Sequence, residues 1–310
     1  MNRKFSIAIH GGAGTLVKEM MTPEKEKEYK AALELSLNQG YEILRNGGRA
    51  VDAVEEAVKQ LEDSHLFNAG RGSVFTNAGT HEMDASIMEG KTLQAGAVSL
   101  ITGIKNPISL ARSVMEKSEH VFLAGEGAMR FAEKFGFTLE SPEYFHDEFR
   151  YQQWQEIKDS ESFQLDHSVN KDSKFGTVGA VACDQYGDLA AATSTGGMTN
   201  KRWGRIGDSP MIGAGNYANN KTCAVSCTGS GEFFIRGVVA YDVSCLMEYK
   251  GLSLEEAARQ VVEERLLGIG GDGGLIAVDV QGNVALPFNT EGMYRAYQTS
   301  ENSKEILIYK

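Results

Sequence analysis

The sequence predicts an α+β protein in which largely antiparallel sheets are covered by helices. Short apolar strands and amphipathic helices are mixed in the first half of the chain. In the second half, turn sequences at 185–188 and within 278–285 join strands into hairpins. A pair of helices separates these hairpins, whereas a parallel sheet would need repeated strand–helix–strand units.

The first half begins with a strand over 5–9 that runs into the glycine-rich turn HGGAG. A helix is predicted from Thr22, because threonine can cap a helix and Pro23 suits its first turn. The apolar stripe of that helix consists of Tyr29, Leu33, Leu37, Tyr41 and Leu44. The same spacing predicts a second helix along Val51, Val54, Val58 and Leu61, a buried strand within 93–102, and helices near 107–117 and 126–134.

The middle of the chain changes character abruptly at Thr177. Residues 158–174 are rich in Ser, Asp and Lys and have no periodicity, which is typical of a surface linker, here extending to about residue 176. An apolar strand then begins at Gly176-Thr177-Val178. A threonine can be a nucleophile when its own α-amine is the base, and this requires a cut before Thr177. The simpler interpretation is that these residues only begin a buried strand.

The later elements have clear local signals. A strand and the 185–188 turn follow Thr177, and glycine-rich loops lead to a further strand and two helices. Ser253 and Glu256 have the spacing of a capping box, which predicts the start of the second helix.

Size and charge restrict the function. A chain of 310 residues with 42% hydrophobic residues has ample material for a core. A net charge of −11 argues against nucleic acid and anionic membrane as partners, because both require basic surface. An anionic substrate would therefore need a local basic anchor. The beginning of the chain has no long apolar segment, so a cytoplasmic location and no membrane span are expected.

Several motifs together resemble one family. They are AIHGGAG at 8–14, AATSTGGMTN at 191–200, GRIGDSP at 204–210, GAGNYA at 213–218 and SCTGSGE at 226–232. In order and spacing they resemble the plant-type asparaginase and isoaspartyl peptidase family of N-terminal nucleophile hydrolases. The resemblance implies a single domain over 1–310 with a four-layer αββα sandwich. It also implies cleavage between Gly176 and Thr177 into an α subunit, 1–176, and a β subunit, 177–310, assembled as a dimer of αβ heterodimers.

The resemblance also assigns catalytic roles. Thr177 would be the nucleophile, and its freed amine, with a reference pKa of about 8, would be the base. Thr195 would hydrogen-bond the nucleophile, while Thr228 with Gly229 would bind the oxyanion and Asn68 would orient the nucleophile or assist the oxyanion. Taken singly, Thr and Asn in glycine-rich turns more often bond their own backbone.

Two charges of GRIGDSP match the ends of an amino acid. Arg205 can bind an α-carboxylate with its planar fork, and Asp208 can bind an α-ammonium. The resemblance assigns them these roles, with the Gly229 and Gly231 backbone also in the substrate site and the Gly231 carbonyl holding the ammonium. The simpler interpretation is a surface ion pair.

A structural sodium ion is implied by the stretch 61–71, and no cofactor is expected for catalysis. Backbone carbonyls are suitable ligands for such a hard cation. The implied ligands are the carbonyls of Leu61, Glu62, Ser64, Phe67, Ala69 and Arg71.

The expected function is hydrolysis of small β-aspartyl substrates. These are the side-chain amide of L-asparagine and the isopeptide bond of β-aspartyl dipeptides, both of which release L-aspartate. A glycosylasparaginase-like amidase is one alternative. An uncleaved protein on the same scaffold that binds amino acids through Arg205 and Asp208 is another.

Overall fold

The computed structural model of the chain describes residues 4–14, 18, 21–159 and 176–310. Its strands are β1 (Ser6–Gly14), β2 (Met83–Glu89), β3 (Ala95–Ile101), β4 (Phe122–Ala124), β5 (Val178–Cys183), β6 (Leu189–Thr195), β7 (Asn216–Ala218), β8 (Cys223–Gly229), β9 (Gly273–Asp279), β10 (Val284–Ala285), β11 (Gly292–Thr299) and β12 (Lys304–Tyr309). Its helices are α1 (Pro23–Arg45), α2 (Ala50–Glu62), α3 (Pro107–Lys117), α4 (Gly125–Lys134), α5 (Pro142–Phe145), α6 (Glu148–Ile157), α7 (Gly231–Gly237), α8 (Val239–Lys250) and α9 (Leu254–Arg259), which continues as a π-helix over Gln260–Leu266.

The strands form two sheets. The larger has eight strands in the order β12-β11-β1-β5-β6-β2-β3-β4, and the smaller has four in the order β10-β9-β8-β7. Among the described strands every neighbouring pair is antiparallel except β3 with β4. The larger sheet combines strands from 1–176 with strands from 177–310: β1 lies between β11 and β5, and β6 lies between β5 and β2.

Three hydrophobic clusters separate four layers. One lies between the larger sheet and a layer built mainly of α1, α2 and α3, and includes Leu33, Val54 and Ile87. The second lies between the two sheets and is built of smaller side chains such as Ala8 and Ala191. The third lies between the smaller sheet and α8 and α9. The predicted four-layer αββα sandwich is therefore confirmed. No helix within the described ranges has the length and apolar character needed to span a membrane.

The local signals of the first half are largely confirmed. The Thr22 hydroxyl accepts a hydrogen bond from the Lys25 amide at 3.2 Å, and the whole predicted stripe of α1 is buried. Helices α2, α3 and α4 lie where the spacing predicts them. Strand β3 begins at Ala95, after a turn in which Leu93 has a φ of 60°.

The prediction that HGGAG forms a turn is wrong. Strand β1 continues through this sequence to Gly14, with a register shift between His10 and Gly12 against β11. Gly12 has a φ of 116°, and a Cβ there would lie 2.9 Å from the Gly176 nitrogen. The glycines thus allow a bulged strand and a close approach of two backbones.

The helical pair of the second half is in fact three helices. The end of SCTGSGE, predicted as part of a loop, already begins α7 at Gly231. Val238, with a φ of 49°, separates α7 from α8. The capping box of Ser253 and Glu256 is present at the start of α9. Of the predicted linker 158–176, residues 160–175 lie outside the described part of the chain.

Candidate active site

Thr177 lies immediately before β5, in the middle of the larger sheet, and its side chain is buried. Its neighbour Val178 pairs with Ser194 on β6, so the end of β6 brings Thr195 opposite Thr177. The Thr177 hydroxyl donates to Thr195 Oγ1 at 3.3 Å, and the same oxygen accepts from the Gly197 amide at 3.0 Å. The predicted partner of the nucleophile is therefore in hydrogen-bonding contact with it.

Thr228 and Gly229 end β8 in the other sheet and face the same cleft. Thr228 Oγ1 accepts from the Ala13 amide at 3.2 Å. A Cβ placed on Gly176 would lie 3.9 Å from this oxygen, so the hydroxyl is beside the peptide bond that precedes Thr177. Gly229 has a φ of 155°, and a Cβ there would lie 2.3 Å from the Asp272 carbonyl, which excludes a side chain.

Asn68 lies on the wall of the cleft, and its side-chain amide is hydrogen-bonded to two backbone groups. Its Nδ2 donates to the Gly197 carbonyl at 2.7 Å, and its Oδ1 accepts from the Val74 amide at 3.0 Å. The amide thereby connects the loop after α2 to the loop after β6. In this arrangement Asn68 holds the two loops together, and the predicted contact with the nucleophile or oxyanion remains a prediction.

Ser209 is a neighbour of the nucleophile that the sequence did not reveal. It is buried, and its Oγ lies 3.2 Å from Thr177 Oγ1. Its backbone carbonyl accepts from Ser86 Oγ at 2.6 Å, which fixes the loop that carries it. Ser209 is part of GRIGDSP, but the motif does not show that the Ser209 side chain points towards Thr177.

His10 supports the strand next to Thr177. Its Nε2 lies 2.9 Å from Ser226 Oγ, and a Cβ at Gly179 would lie 2.4 Å from the same nitrogen. Burial lowers the pKa of His10 to about 3, although the Thr177 backbone opposes this. The ring is therefore neutral at physiological pH.

Arg205 and Asp208 both line the cleft, but they do not pair with each other. Arg205 Nε and Nη2 donate to the two carboxylate oxygens of Glu232, at 2.9 and 3.0 Å. Hydrogen bonding and charge from Arg205 outweigh the effect of burial and lower the pKa of Glu232. This pair could not be read from the sequence, because 27 residues separate its members.

Asp208 is buried beside this pair with one oxygen unsatisfied. Its Oδ2 has no hydrogen-bond partner among the described residues. Burial raises the pKa of Asp208 to about 7, against the opposing effects of its own backbone and of Arg205. A cationic group in the cleft would satisfy this oxygen and favour the ionised form. Gly231, the other predicted substrate residue, lies behind the two charges, since a Cβ there would be 2.8 Å from Asp208 Oδ1.

The cleft therefore unites Thr177, the predicted nucleophile, with Arg205 and Asp208. Its volume is about 80 Å³, and Gly176 is one of its lining residues. The predicted site residues that line it are Asn68, Gly176, Thr177, Thr195, Arg205, Asp208, Thr228 and Gly229.

The loop predicted to hold sodium has a backbone suited to that role. A Cβ at Gly70 would lie 2.4 Å from the Glu62 carbonyl, and a Cβ at Gly72 would lie 2.2 Å from the Phe67 carbonyl and 2.6 Å from that of His65. The two glycines, both in a short 3₁₀ turn, thus leave room for the backbone carbonyl oxygens of this loop. This donor set fits a hard monovalent cation. The remaining predicted ligands, Leu61, Ser64, Ala69 and Arg71, belong to the same loop.

A four-layer αββα sandwich with a buried threonine before a central strand, surrounded by hydroxyl groups, defines the class of N-terminal nucleophile hydrolases. Within that class the assignment is specific. The family model described as asparaginase matches residues 3–308, and the chain belongs to this family.

Individual relatives match along nearly the whole chain. The chain is 52% identical to an isoaspartyl peptidase of Salmonella typhimurium, with 99% of each protein covered. It is 53% identical to an isoaspartyl peptidase of Escherichia coli, with 99% of this chain and 97% of the relative covered. It is 44% identical to a plant-type L-asparaginase of Pyrococcus horikoshii, with 94% and 95% covered.

Proposed function

We propose that this protein is a self-processing threonine hydrolase that releases L-aspartate from L-asparagine and from β-aspartyl dipeptides. The observation that carries the proposal is the single cleft in which Thr177, Thr195 and Thr228 meet Arg205 and Asp208. The names of the relatives, isoaspartyl peptidase and L-asparaginase, support the same substrate class.

The first reaction is cleavage of the chain before Thr177. Thr177 Oγ1 attacks the Gly176 carbonyl carbon, the C–N bond breaks, and the hydroxyl proton passes to the departing nitrogen. Water then hydrolyses the resulting ester, which leaves the carboxylate of Gly176 and the free amine of Thr177. The position of Gly176 supports this order, because this residue lines the cleft that an amino-acid substrate would enter.

The second reaction uses the freed amine as base. The amine takes the proton of Thr177 Oγ1 as this oxygen attacks the β-carbonyl carbon of the substrate, and it then protonates the leaving nitrogen. Thr228 and the Gly229 backbone would donate to the oxyanion, with Asn68 assisting. The leaving group is ammonia or an amino acid. Water, deprotonated by the same amine, then releases aspartate from the β-aspartyl ester.

Substrate choice follows from the two charges on the cleft wall. Arg205 would bind the α-carboxylate, while Asp208 and the Gly231 carbonyl would bind the α-ammonium. Both groups lie on one carbon of a β-aspartyl substrate, so they can be held while the leaving group varies. An α-aspartyl dipeptide has its α-carboxylate tied up in the scissile amide and would not be recognised.

Three further features of the proposal rest on the family. They are a structural sodium ion on the carbonyls of the 61–71 loop, assembly as a dimer of αβ heterodimers, and a cytoplasmic location. The close approach of the Glu62 carbonyl to Gly70 and of the Phe67 carbonyl to Gly72 supports the first. The ion would stabilise the loop that carries Asn68 and would take no part in the chemistry.

Mass spectrometry of the denatured protein tests self-cleavage. The wild type should give two chains, 1–176 and 177–310, whereas Thr177→Ala should remain one chain. Wild type that stays uncut while it hydrolyses asparagine at full rate would refute the mechanism. Uncut protein that binds aspartate without hydrolysing any substrate would identify the amino-acid-binding alternative.

A substrate panel with Arg205→Lys tests recognition. Asparagine and β-aspartyl dipeptides should be cleaved and α-aspartyl dipeptides should not. The lysine variant should lose roughly tenfold or more in kcat/KM, because an ammonium cannot form two parallel hydrogen bonds to a carboxylate. Equal cleavage of α- and β-aspartyl dipeptides would contradict the model. Preference for a glycosylated asparagine would favour the glycosylasparaginase-like alternative.

A further inference from the structure

The bidentate pair of Arg205 and Glu232 is the part of the site to which neither the motifs nor the proposed chemistry gives a role. Both Glu232 oxygens are used, at 2.9 Å from Nε and 3.0 Å from Nη2 of Arg205. The Arg205 side chain is 20% exposed and that of Glu232 is 43% exposed. Glu232 does not line the cleft, while Arg205 does.

The bonds to Glu232 occupy only one edge of the guanidinium. An arginine has five N–H donors, and Glu232 takes the one on Nε and one of the two on Nη2. Both donors of Nη1 and the second donor of Nη2 have no partner in the described part of the chain. Nη1 and Nη2 together form the outer edge of the guanidinium, which can bind a carboxylate through two parallel bonds.

The guanidinium is also enclosed by two glycines. A Cβ at Gly207 would lie 3.0 Å from Nη1, and a Cβ at Gly231 would lie 3.1 Å from Nη2. Gly231 begins α7, and Glu232 is the next residue of that helix. The carboxylate that holds Arg205 is therefore fixed to a helix, and its position does not depend on the long arginine side chain.

We propose that Glu232 is a positioning residue that holds Arg205 with its Nη1–Nη2 edge towards the α-carboxylate of the substrate. The inference rests on the proposed function, and it makes Glu232 the residue that orients Arg205 before the α-carboxylate binds. An arginine fixed before binding loses less side-chain freedom when the ligand arrives. The opposite possibility, that Glu232 competes with the substrate carboxylate, would require it to occupy the outer edge, but it binds the Nε edge instead.

The test compares two ligands that differ only in the α-carboxylate. L-aspartate has this group, and β-alanine is the same molecule without it. Calorimetric titration of the two-chain protein should show that Glu232→Ala weakens L-aspartate binding about tenfold, as expected for loss of hydrogen bonds between charged groups. The affinity for β-alanine should change less than about twofold. In steady-state assays the variant should raise KM for asparagine and leave kcat nearly unchanged.

Two further variants make the test specific. Glu232→Gln keeps one acceptor oxygen and should fall between the wild type and Glu232→Ala. Asp242→Ala is the control, because it removes an ion pair to Arg265 on the neighbouring helix, outside the residues that line the cleft. Its affinities for both ligands should equal those of the wild type.

Aspartate binding that is unchanged or tighter in Glu232→Ala would overturn the proposal, as would equal weakening of both ligands. If Glu232→Ala fails to fold, Glu232→Gln must weaken aspartate more than β-alanine, or the proposal fails. Because binding is measured directly, this outcome is independent of turnover. A wild type that hydrolyses neither asparagine nor β-aspartyl dipeptides would instead refute the proposed function.

Discussion

Thr177 Oγ1 has two hydroxyl neighbours, Thr195 Oγ1 at 3.3 Å and Ser209 Oγ at 3.2 Å. A hydroxyl has one hydrogen to donate. Because Thr177 gives this hydrogen to Thr195, Ser209 must be the donor in its contact with Thr177. The Thr177 hydroxyl is thereby held from two sides. Neither contact could be read from the sequence, since each depends on how loops after separate strands come together.

Replacing Thr228 by alanine should mainly slow acylation. If its hydroxyl stabilises the oxyanion, kcat should fall by about 10²–10³, the usual effect of losing one such donor. The measurement is single-turnover acylation of the two-chain form, separated from uncut protein. Thr222→Ala is a matched control, because Thr222 is also buried but bonds Ser244 outside the cleft lining. Wild-type acylation by Thr228→Ala would show that the oxyanion role is misassigned.

Asp208 should make recognition of the substrate amine depend on pH. Its pKa is raised to about 7, so below this pH the carboxyl is protonated and attracts an ammonium less. The ratio of kcat/KM for asparagine to that for succinamate, which lacks the α-amine, should therefore fall by up to about tenfold per pH unit below 7. Above 7 the ratio should level off. Titration of the Thr177 amine affects both substrates and cancels.

Asp208→Asn supplies the control for this profile. The variant carries no titratable group at the position, so its ratio should be lower and flat between pH 5 and 8. A wild-type ratio that is equally flat would mean that Asp208 does not read the α-ammonium.

At the scale of elements, a buried carboxyl joins three of them. Glu62 is the last residue of α2, and its Oε1 accepts from Ser194 on β6 at 2.6 Å and from the Ile108 amide in α3 at 3.0 Å. Burial raises the pKa of Glu62 to about 8, despite these hydrogen bonds. The neutral carboxyl thus helps to place the end of β6, and with it Thr195.

Glu62→Gln should stabilise the protein increasingly as pH rises. The folded pKa of Glu62 is about 8 and the ordinary value is 4.5. Between these values the folded state binds one more proton, so wild-type stability decreases with rising pH by up to about 1.4 kcal/mol per unit. Glutamine does not titrate and avoids this loss. Urea unfolding of single-chain Thr177→Ala protein, with and without Glu62→Gln, at pH 5, 6.5 and 8 measures the difference.

Glu55→Gln on the same helix is the comparison, because Glu55 is more exposed and bonds Ser109 and Arg112. This variant measures how the free energy of unfolding changes when another glutamate of α2 is replaced by glutamine. A Glu62→Gln difference that is constant from pH 5 to 8 would contradict the raised pKa.

The elements also show which parts of the fold local sequence could predict. Helices α1 and α9 were predictable because capping residues and buried stripes lie within one segment. The extension of β1 and the start of α7 were not, since a glycine-rich sequence looks the same in a turn, a bulged strand or a helix start. Its conformation depends on distant neighbours, β11 and Gly176 for β1. Likewise the motifs contained Arg205 and Glu232 but not their pairing.

At the scale of the whole molecule, an acidic protein concentrates its means of attracting an anion in one place. The net charge is −11, and among the described residues that line the cleft Arg205 is the only cation. Composition alone predicted that an anionic substrate would need such a local anchor. Composition could not show that the cleft also contains Asp208, which makes it suited to a zwitterion.

The position of β1 in the larger sheet determines when the chain can be cut. β1, from the first part of the chain, is hydrogen-bonded on both sides to strands that follow Thr177, β11 and β5. Neither product of the proposed cleavage could complete this sheet alone, so assembly must precede the cut. After the cut, no peptide bond joins the part of the chain that contains β1 to the part that contains β5 and β11.

After unfolding in urea and dilution, single-chain Thr177→Ala protein should regain its fold at a rate independent of protein concentration. The two-chain protein should regain its fold poorly, and faster at higher protein concentration. The active form would be one that can be made only once.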